Sequence, residues 1–132
     1  MLESKFKGRI LIVDDEKTIA DTLALILNAT GWETEVAYSG ESALEAAERF
    51  KPDVLISDVF MGGISGIEVA ILLAKKQPNC KVILFSGQAA TADLLSAADS
   101  QGRGFEVLTK PVQPEVLIER VRHLALPVER KS

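Results

Sequence analysis

Several features are scarce in this sequence of 132 residues, and each scarcity excludes a class of protein. Cys80 is the single cysteine, so an internal disulfide is excluded and a reducing compartment is favoured. No apolar run approaches the roughly 20 residues that a helix needs to cross a bilayer. The N-terminal stretch MLESKFKGR also lacks the hydrophobic segment of a secretory signal. We therefore expect a cytoplasmic protein that makes no contact with the membrane.

Positive charge is the next scarcity. Fifteen Lys and Arg residues stand against 19 Asp and Glu residues, which gives a net charge of −4. That sign is wrong for a general nucleic-acid binder, so we expect no direct binding of nucleic acid by this chain. The length and the 47% hydrophobic content fit a single domain over residues 1–132, with its core at about 8–126 between short tails.

The sequence does contain a regular alternation of strand-like and helix-like segments. Five stretches (RILIVDD, ETEVAYS, DVLISDV, KVILFSG and FEVLTK) read as strands, and a helical pattern follows each of them. The helical patterns include Glu16–Ala29, an alanine-rich stretch at Gln88–Gln101 and a last helix that starts at Pro114. Ser65 and Glu68 form a capping-box pattern at the start of the third helix. Five βα units in a row predict a parallel sheet with helices on both faces.

The strand order follows from the hydrophobic patterns. The first, third and fourth strands are almost continuously apolar, which is typical of strands that are buried on both faces. The second and fifth alternate with polar residues, as half-exposed edge strands do. With those two at the edges, we predict a flavodoxin-like, doubly wound (βα)5 three-layer sandwich with strand order 2-1-3-4-5.

Charged and hydroxyl side chains stand at the carboxyl ends of the predicted strands. Asp14 and Asp15 follow the first strand, Asp58 the third, Ser86 the fourth and Lys110 the fifth. Each has an ordinary structural explanation: Asp15 as a helix N-cap, Ser86 in a turn, Lys110 as a solvated lysine. Sites in open α/β sheets form outside the carboxyl ends of the strands, and all five residues lie there. We therefore predict that they converge on one site.

The residue types indicate the chemistry of this predicted site. Three carboxylates offer the hard oxygen ligands that suit Mg²⁺. A carboxylate can also attack phosphorus and form an aspartyl phosphate. A cation and a lysine would neutralise the transferring phosphoryl group, and a hydroxyl could bond one of its oxygens. The sequence thus predicts phosphoryl chemistry that depends on Mg²⁺.

Four stretches, VDDE, DVLISDVFMGGISG, VILFSG and VLTKPV, carry a family resemblance in the order in which they occur. The chain resembles the receiver domain of bacterial two-component response regulators over roughly residues 8–126. The resemblance implies that Asp58 accepts a phosphoryl group and that Mg²⁺ is held by Asp14, Asp15, Asp58 and the backbone carbonyl of Phe60. It implies that Ser86 is the switch hydroxyl and Lys110 the ion-pair partner of the phosphate. A cis peptide bond between Lys110 and Pro111 is also implied.

The chain departs from the common receiver pattern at several positions. Val107 stands where receivers often carry an aromatic switch, and Phe105 is the nearby ring that could replace it. Gly62 stands in place of a usual proline, which predicts a more pliable loop. Phe60 and Gln88 occupy the two positions that tune the loss of phosphate in the family.

The resemblance also implies partners. A sensor histidine kinase or a phosphotransfer protein would supply the phosphoryl group, and a downstream protein or output domain would read it. We expect the readout surface to comprise Gln88–Gln101, the fifth strand and the last helix, and this surface is also a candidate homodimer interface. His123, the single histidine, is expected to be solvated at a helix end rather than to take part in a relay.

Two other functions compete with this reading. A haloacid-dehalogenase-like phosphohydrolase also uses an aspartyl nucleophile and Mg²⁺, but that family places a D-x-D pattern after its first strand, where this chain has adjacent aspartates. A degenerate receiver that only binds partners is the other alternative, against which the complete residue set argues. We expect a signalling domain rather than an enzyme with a separate substrate, apart from its own phosphoryl transfer and slow self-dephosphorylation. The sequence leaves open whether the chain stands alone or is part of a longer regulator.

Overall fold

The computed structural model describes residues 6–87 and 105–125. Within these ranges, strands and helices alternate along the chain. The strands are β1 (Arg9–Val13), β2 (Glu33–Ala37), β3 (Val54–Asp58), β4 (Lys81–Ser86) and β5 (Glu106–Thr109), and the helices are α1 (Lys17–Ala29), α2 (Gly40–Phe50), α3 (Gly66–Lys76) and a C-terminal helix (Pro114–Ala125). The predicted helix at Gln88–Gln101 lies outside the described residues. None of the described helices is long and apolar enough to cross a membrane.

All five strands form one parallel sheet in the order β2-β1-β3-β4-β5. This confirms the predicted fold and strand order. The register aligns the ends of neighbouring strands: Asp58 pairs with Phe85, and Ser86 pairs with Thr109. The carboxyl ends of β3, β4 and β5 therefore lie side by side at one edge of the sheet.

Burial of the strands matches their hydrophobic patterns. All residues of β3 are buried, as are all but the first residue of β1 and β4, whereas most of β2 and β5 is partly exposed. Alternate residues of the central strands enter two core clusters on opposite faces of the sheet. Leu11, Leu55 and Leu84 pack with α2 and α3, while Ile12 and Ile56 pack with α1 and the C-terminal helix. The helices thus cover both faces, as predicted.

Helices α1 and α3 both begin near the carboxyl ends of the strands, but their N-termini are capped differently. Ser65 caps α3: its hydroxyl accepts from the backbone N of Glu68, and the Glu68 carboxylate accepts from the backbone N of Ser65. This confirms the predicted capping box. Helix α1 begins differently, because its N-cap residue is Glu16 and makes no side-chain capping bond. Asp15 therefore does not serve as the N-cap of α1, which leaves its carboxylate available for another role.

Candidate functional site

The acidic residues predicted to converge do so. Asp14 and Asp15 follow β1, and Asp58 ends the neighbouring strand β3. One carboxylate oxygen from each of the three lies within 4.8 Å of the others. Asp14 is 1% exposed and Asp58 8% exposed, while Asp15 is open to solvent. Two buried carboxylates and one exposed carboxylate therefore share a small volume at the carboxyl edge of the sheet.

Lys110 brings one positive charge to this cluster. Its Nζ lies 3.2 Å from Oδ1 of Asp58 and 3.4 Å from Oδ2 of Asp14. Its backbone N donates to the carbonyl oxygen of Ser86 at 3.1 Å, which holds the end of β5 against the end of β4. The peptide bond between Lys110 and Pro111 is cis, as the resemblance implied. Only X–Pro bonds adopt this geometry at low cost.

Two groups in the site, Asp58 and Lys110, have shifted pKa values. Burial raises the pKa of Asp58 above its ordinary value, and the charges of Asp14 and Asp15 add to that effect, although Lys110 opposes it. Burial acts to lower the pKa of Lys110, but the charges of Asp58 and Asp14 outweigh it and the pKa is raised. Among the described residues, three carboxylates thus share the ammonium group of Lys110, and a cation would offset the negative charge that remains.

The backbone around Asp58 is held on several sides. The hydroxyl of Ser57 donates to the carbonyl oxygen of Asp58 at 2.9 Å. The backbone N of Gly66 donates to the carbonyl oxygen of Val59 at 2.9 Å, which ties the start of α3 to the end of β3. A Cβ atom added to Gly66 would lie 2.1 Å from the carbonyl oxygen of Asp58. Only glycine allows this close approach.

An open polar cleft of about 420 Å³ lies over Asp58. It is lined by Asp15, Glu16, Asp58, Phe60, Gly87 and Lys110. Phe60 is 47% exposed, so a large ring stands at the rim of a charged cleft. The cleft thus gives the polar groups around Asp58 access to solvent.

The donor set fits Mg²⁺. Octahedral Mg²⁺ binds oxygen ligands at about 2.1 Å, so neighbouring ligand atoms lie about 3 Å apart. The carboxylate oxygens of Asp14, Asp15 and Asp58 lie within 4.8 Å of one another, and small side-chain movements would bring them to that spacing. Oδ1 of Asp14 also accepts from the backbone N of Glu16 at 2.9 Å, which fixes the orientation of that carboxylate.

The structure describes most of the remaining residues that the sequence singled out. Ser86 ends β4, is fully buried and adjoins Lys110 through its carbonyl oxygen. Phe105 is buried in the same core cluster against which Val107 packs, so its ring is a core residue in this structure. His123 is exposed near the end of the C-terminal helix, as expected. Gln88 lies outside the described residues.

Two residues near the site were not singled out from the sequence. Glu16 lines the cleft, and its position directly after Asp14 and Asp15 was the available signal. Glu41, at the start of α2, reaches the loop after Asp58: Oε2 of Glu41 lies 3.5 Å from the backbone N of Ile64. No local pattern around Glu41 predicts a contact with a residue 23 positions away.

Comparisons with known proteins agree with this geometry. The family model of the response regulator receiver domain matches residues 10–122. The DNA-binding response regulator MtrA of Mycobacterium tuberculosis is 30% identical over 116 residues, which cover 88% of this chain and 50% of that protein. The chain therefore spans about half the length of that curated relative.

Solved structures give the same result. The crystal structure of a CheY-like response regulator receiver domain protein from Methanospirillum hungatei has a TM-score of 0.81 and 28% identity, and the match covers 89% of this chain and 92% of that one. The receiver domain from the hybrid histidine kinase CckA has a TM-score of 0.71 and 34% identity, with 90% and 100% of the two chains covered. The fold, the acidic cluster and the matched sequence thus agree with the family model of the receiver domain.

Proposed function

This chain belongs to the response regulator receiver family of two-component signalling domains, and from that premise we propose that Asp58 is the residue that accepts the phosphoryl group. One observation carries the proposal. The buried Asp58 carboxylate lies with those of Asp14 and Asp15 in one cluster and 3.2 Å from Nζ of Lys110. An oxygen nucleophile, cation ligands and a positive side chain are therefore together in an open cleft.

In the proposed reaction, a carboxylate oxygen of Asp58 attacks the phosphorus of a phosphohistidine on a sensor kinase or a phosphotransfer protein. A new O–P bond forms while the N–P bond breaks, and the bonding electrons leave on the histidine nitrogen. Lys110 is already next to the attacking carboxylate and offsets negative charge as the phosphoryl group arrives. The role of the protein is to position the groups and to balance their charge.

An acidic triad of this kind is typical of the Mg²⁺ site of receiver domains. We propose that Asp14, Asp15, Asp58 and the backbone carbonyl of Phe60 hold the ion. When bound, the ion supplies positive charge next to the phosphoryl oxygens. The carboxylate of Asp14 is held by the backbone N of Glu16 and by Lys110, so it contributes negative charge at a fixed position. Asp15 is exposed, so its side chain can move toward the ion. Ser86 is the proposed switch hydroxyl for a phosphoryl oxygen.

The wider assignment rests on family membership. A receiver domain implies a histidine kinase as its partner, and the cytoplasm is the compartment that we propose for the encounter. MtrA is a DNA-binding response regulator, and its match to this chain covers 50% of its length. We propose that this chain is a single receiver domain that controls a separate protein or an output domain, and that it does not bind DNA itself. The proposed readout surface comprises β5 and the C-terminal helix, together with residues 88–101, which lie outside the described residues.

Treatment with acetyl phosphate and Mg²⁺ tests the assignment. We expect intact-mass spectrometry to find one phosphate on the wild type, located on Asp58 by peptide mapping, and none on Asp58→Ala. Ser86→Ala is the matched control, because it should still accept the phosphate. A phosphate on His123 or on a serine would contradict the assignment. Turnover of phosphomonoesters would favour a phosphohydrolase, and an unmodified wild type would favour a degenerate receiver.

A further inference from the structure

The loop between Asp58 and α3, residues 59–65, carries Phe60 to the rim of the cleft. Its two ends are fixed by the backbone: Val59 N donates to the carbonyl oxygen of Phe85 at 2.9 Å, and Gly66 N donates to the carbonyl oxygen of Val59 at 2.9 Å. Gly62 and Gly63 stand near its centre and are both exposed. Adjacent glycines make a loop pliable, so contacts made by its neighbouring residues limit how far the loop can move.

Glu41 supplies such a contact from the first turn of α2. Its Oε2 lies 3.5 Å from the backbone N of Ile64, a long hydrogen bond. The same carboxylate lies over Gly63: a Cβ atom added there would be 2.8 Å from Oε2 and 3.1 Å from Oε1. Gly63 also has φ +83, a left-handed conformation that side chains disfavour. Glycine at position 63 therefore both permits the loop shape and leaves room for the carboxylate.

The side chain of Ile64 is held by the same end of α2. A Cβ atom added to Gly40 would lie 2.5 Å from Cγ1 of Ile64 and 2.9 Å from Cγ2 of Val69. The side chain of Ile64 thus packs directly on the backbone of Gly40. The backbone N–H of Ile64 points to the carboxylate of Glu41, which follows Gly40 in α2. Two adjacent residues of α2 therefore contact one loop residue: Gly40 contacts the side chain of Ile64, and Glu41 contacts its backbone.

From these contacts we propose that Glu41 is a positioning residue for the phosphoacceptor site. It holds the centre of the loop through Gly63 and Ile64, and so keeps Phe60 at the cleft. The inference rests on the proposed function, in which the carbonyl of Phe60 is a ligand of Mg²⁺. Its consequence is that Mg²⁺ affinity depends on a side chain that does not itself touch the ion.

A simpler role for Glu41 is to place negative charge at the N-terminus of α2, where it interacts favourably with the helix dipole. Glu41→Gln separates the two roles. Glutamine removes the charge but keeps an oxygen that can accept from the backbone N of Ile64. Glu41→Ala removes both. Glu45→Ala removes an exposed acidic side chain from the same helix and serves as the charge control.

The two glycines give a second matched pair. Gly63→Ala would place a methyl group against the Glu41 carboxylate and strain a left-handed backbone, so it should displace the loop. A Cβ atom at Gly62 meets nothing within 4 Å, and its φ lies outside the left-handed region. Gly62→Ala is therefore the control for adding the same methyl group to the same loop.

The experiment measures amide hydrogen exchange by NMR without Mg²⁺, and then the Mg²⁺ dissociation constant by titration of the same samples. We expect the Ile64 amide to exchange about fivefold faster in Glu41→Ala, which loses one hydrogen bond. Gly63→Ala should behave alike, and both should bind Mg²⁺ several-fold more weakly. Glu41→Gln, Glu45→Ala and Gly62→Ala should resemble the wild type. The amide of Ile56, in the central strand β3, reports global opening, so its rate corrects the Ile64 rates for any change in overall stability.

Unchanged exchange of Ile64 in Glu41→Ala would overturn the inference, because the loop would not depend on Glu41. Faster exchange with an unaltered Mg²⁺ dissociation constant would also overturn it, since the loop would then not position the site. Loss of both properties in Glu41→Gln would overturn it as well, because the charge of Glu41 at the start of α2, and not its contact with Ile64, would then be responsible. A wild type that fails to bind Mg²⁺ would instead refute the proposed function, and the exchange data would still decide whether Glu41 holds the loop.

Discussion

The two ends of the sheet both carry charged residues around a polar cavity, and they use those charges differently. At the amino end, a cavity of about 310 Å³ is lined by Phe6, Gly8, Arg9, Glu33, Lys51 and Asp53, two of them basic and two acidic. At the carboxyl end, the cleft over Asp58 is lined by three acidic residues and one lysine. The first set is balanced in charge and the second is not.

The amino-end charges are satisfied by groups that hold the fold together. Nε of Arg9 lies 3.2 Å from the Glu33 carboxylate, and Nη1 of Arg9 donates to the carbonyl oxygen of Phe50 at 2.9 Å. The backbone N of Arg9 donates to Oδ2 of Asp53 at 2.9 Å. Nζ of Lys51 donates to the carbonyl oxygen of Glu48 at 3.0 Å. These contacts join strand starts to neighbouring loops, so we assign this end a structural role.

The carboxyl-end charges are more buried and less well matched. Asp14 and Asp58 are nearly inaccessible, yet they share the single ammonium group of Lys110. Burial of like charges with too few partners costs stability, and such a cost is typical of functional sites. In this protein, buried and unbalanced charge therefore distinguishes the functional site, whereas exposed and balanced charge supports the fold.

Replacement of one glycine at each end should change stability most. Gly66→Ala would place Cβ 2.1 Å from the backbone carbonyl of Asp58, where only movement of the main chain gives relief. We expect it to lower the free energy of unfolding by about 3 kcal/mol. Gly8→Ala meets side-chain atoms rather than backbone, namely the exposed Asp53 carboxylate and the buried Trp32 ring, each at 2.8 Å. Urea unfolding should show a smaller loss of about 1 kcal/mol; equal losses would contradict the close packing at Asp58.

Replacement of a partly buried and of an exposed lysine should give the next largest difference in unfolding free energy. Lys110→Met removes the ammonium group that faces Asp14 and Asp58, and we expect a loss of about 2 kcal/mol in unfolding free energy. Lys76→Met breaks an exposed pair, with Nζ 3.0 Å from Oε2 of Glu48, and should cost no more than about 0.5 kcal/mol. Denaturant titration of both variants measures the difference. If Lys76→Met cost as much as Lys110→Met, burial of the charges would not be the deciding factor.

Removal of an acidic group should shift the melting midpoint in opposite directions at the two ends of the sheet. Asp58→Asn removes a buried charge whose pKa is raised, so we expect the metal-free protein to melt a few degrees higher. Asp53→Ala removes the acceptor for the backbone N of Arg9 and should lower the melting midpoint slightly. Differential scanning calorimetry without Mg²⁺ measures both shifts. A lower melting midpoint for Asp58→Asn would mean that its charge stabilises the fold.

The pH dependence gives a smaller but more specific effect. Because the pKa of Asp58 is raised above 3.8, the folded chain keeps this proton where the unfolded chain has lost it. The Asp58 contribution to the free energy of unfolding therefore falls as the pH rises from about 4 through the folded pKa. Asp58→Asn should remove that fall. Urea titrations across this range test it, and a difference between the two proteins that stays constant with pH would refute it.

Much of this arrangement could be predicted from the sequence because it follows from strand patterns. The apolar runs of β1, β3 and β4 placed these strands in the centre, and parallel strands bring their carboxyl ends to one edge. Asp14, Asp58 and Lys110 therefore had to lie near one another once the strand order was known. The capping box at Ser65 was predictable because both of its hydrogen bonds lie within four residues of sequence.

The parts that could not be predicted depend on contacts between distant residues. Asp14 and Asp15 are alike in sequence, but only the structure shows that Asp14 is buried against Lys110 while Asp15 stays exposed. The contact from Glu41 to the loop after Asp58 depends on how α2 and α3 pack. In the sequence, Gly66 is an ordinary residue at a helix start. Only the coordinates show that its backbone lies too close to the carbonyl oxygen of Asp58 for a side chain to fit.

Mg²⁺-dependent stabilisation tests the difference between the two ends most directly. The melting midpoint would be measured against Mg²⁺ concentration, at constant ionic strength, for the wild type, Asp15→Asn and Asp53→Asn. A bound ion should stabilise the wild type by about 1.4 kcal/mol at ten times the dissociation constant. We predict that Asp53→Asn keeps this gain and that Asp15→Asn loses most of it, although its metal-free form is at least as stable as the wild type. A wild-type midpoint that does not move at millimolar Mg²⁺, or an equal loss of the gain in Asp53→Asn, would contradict the account.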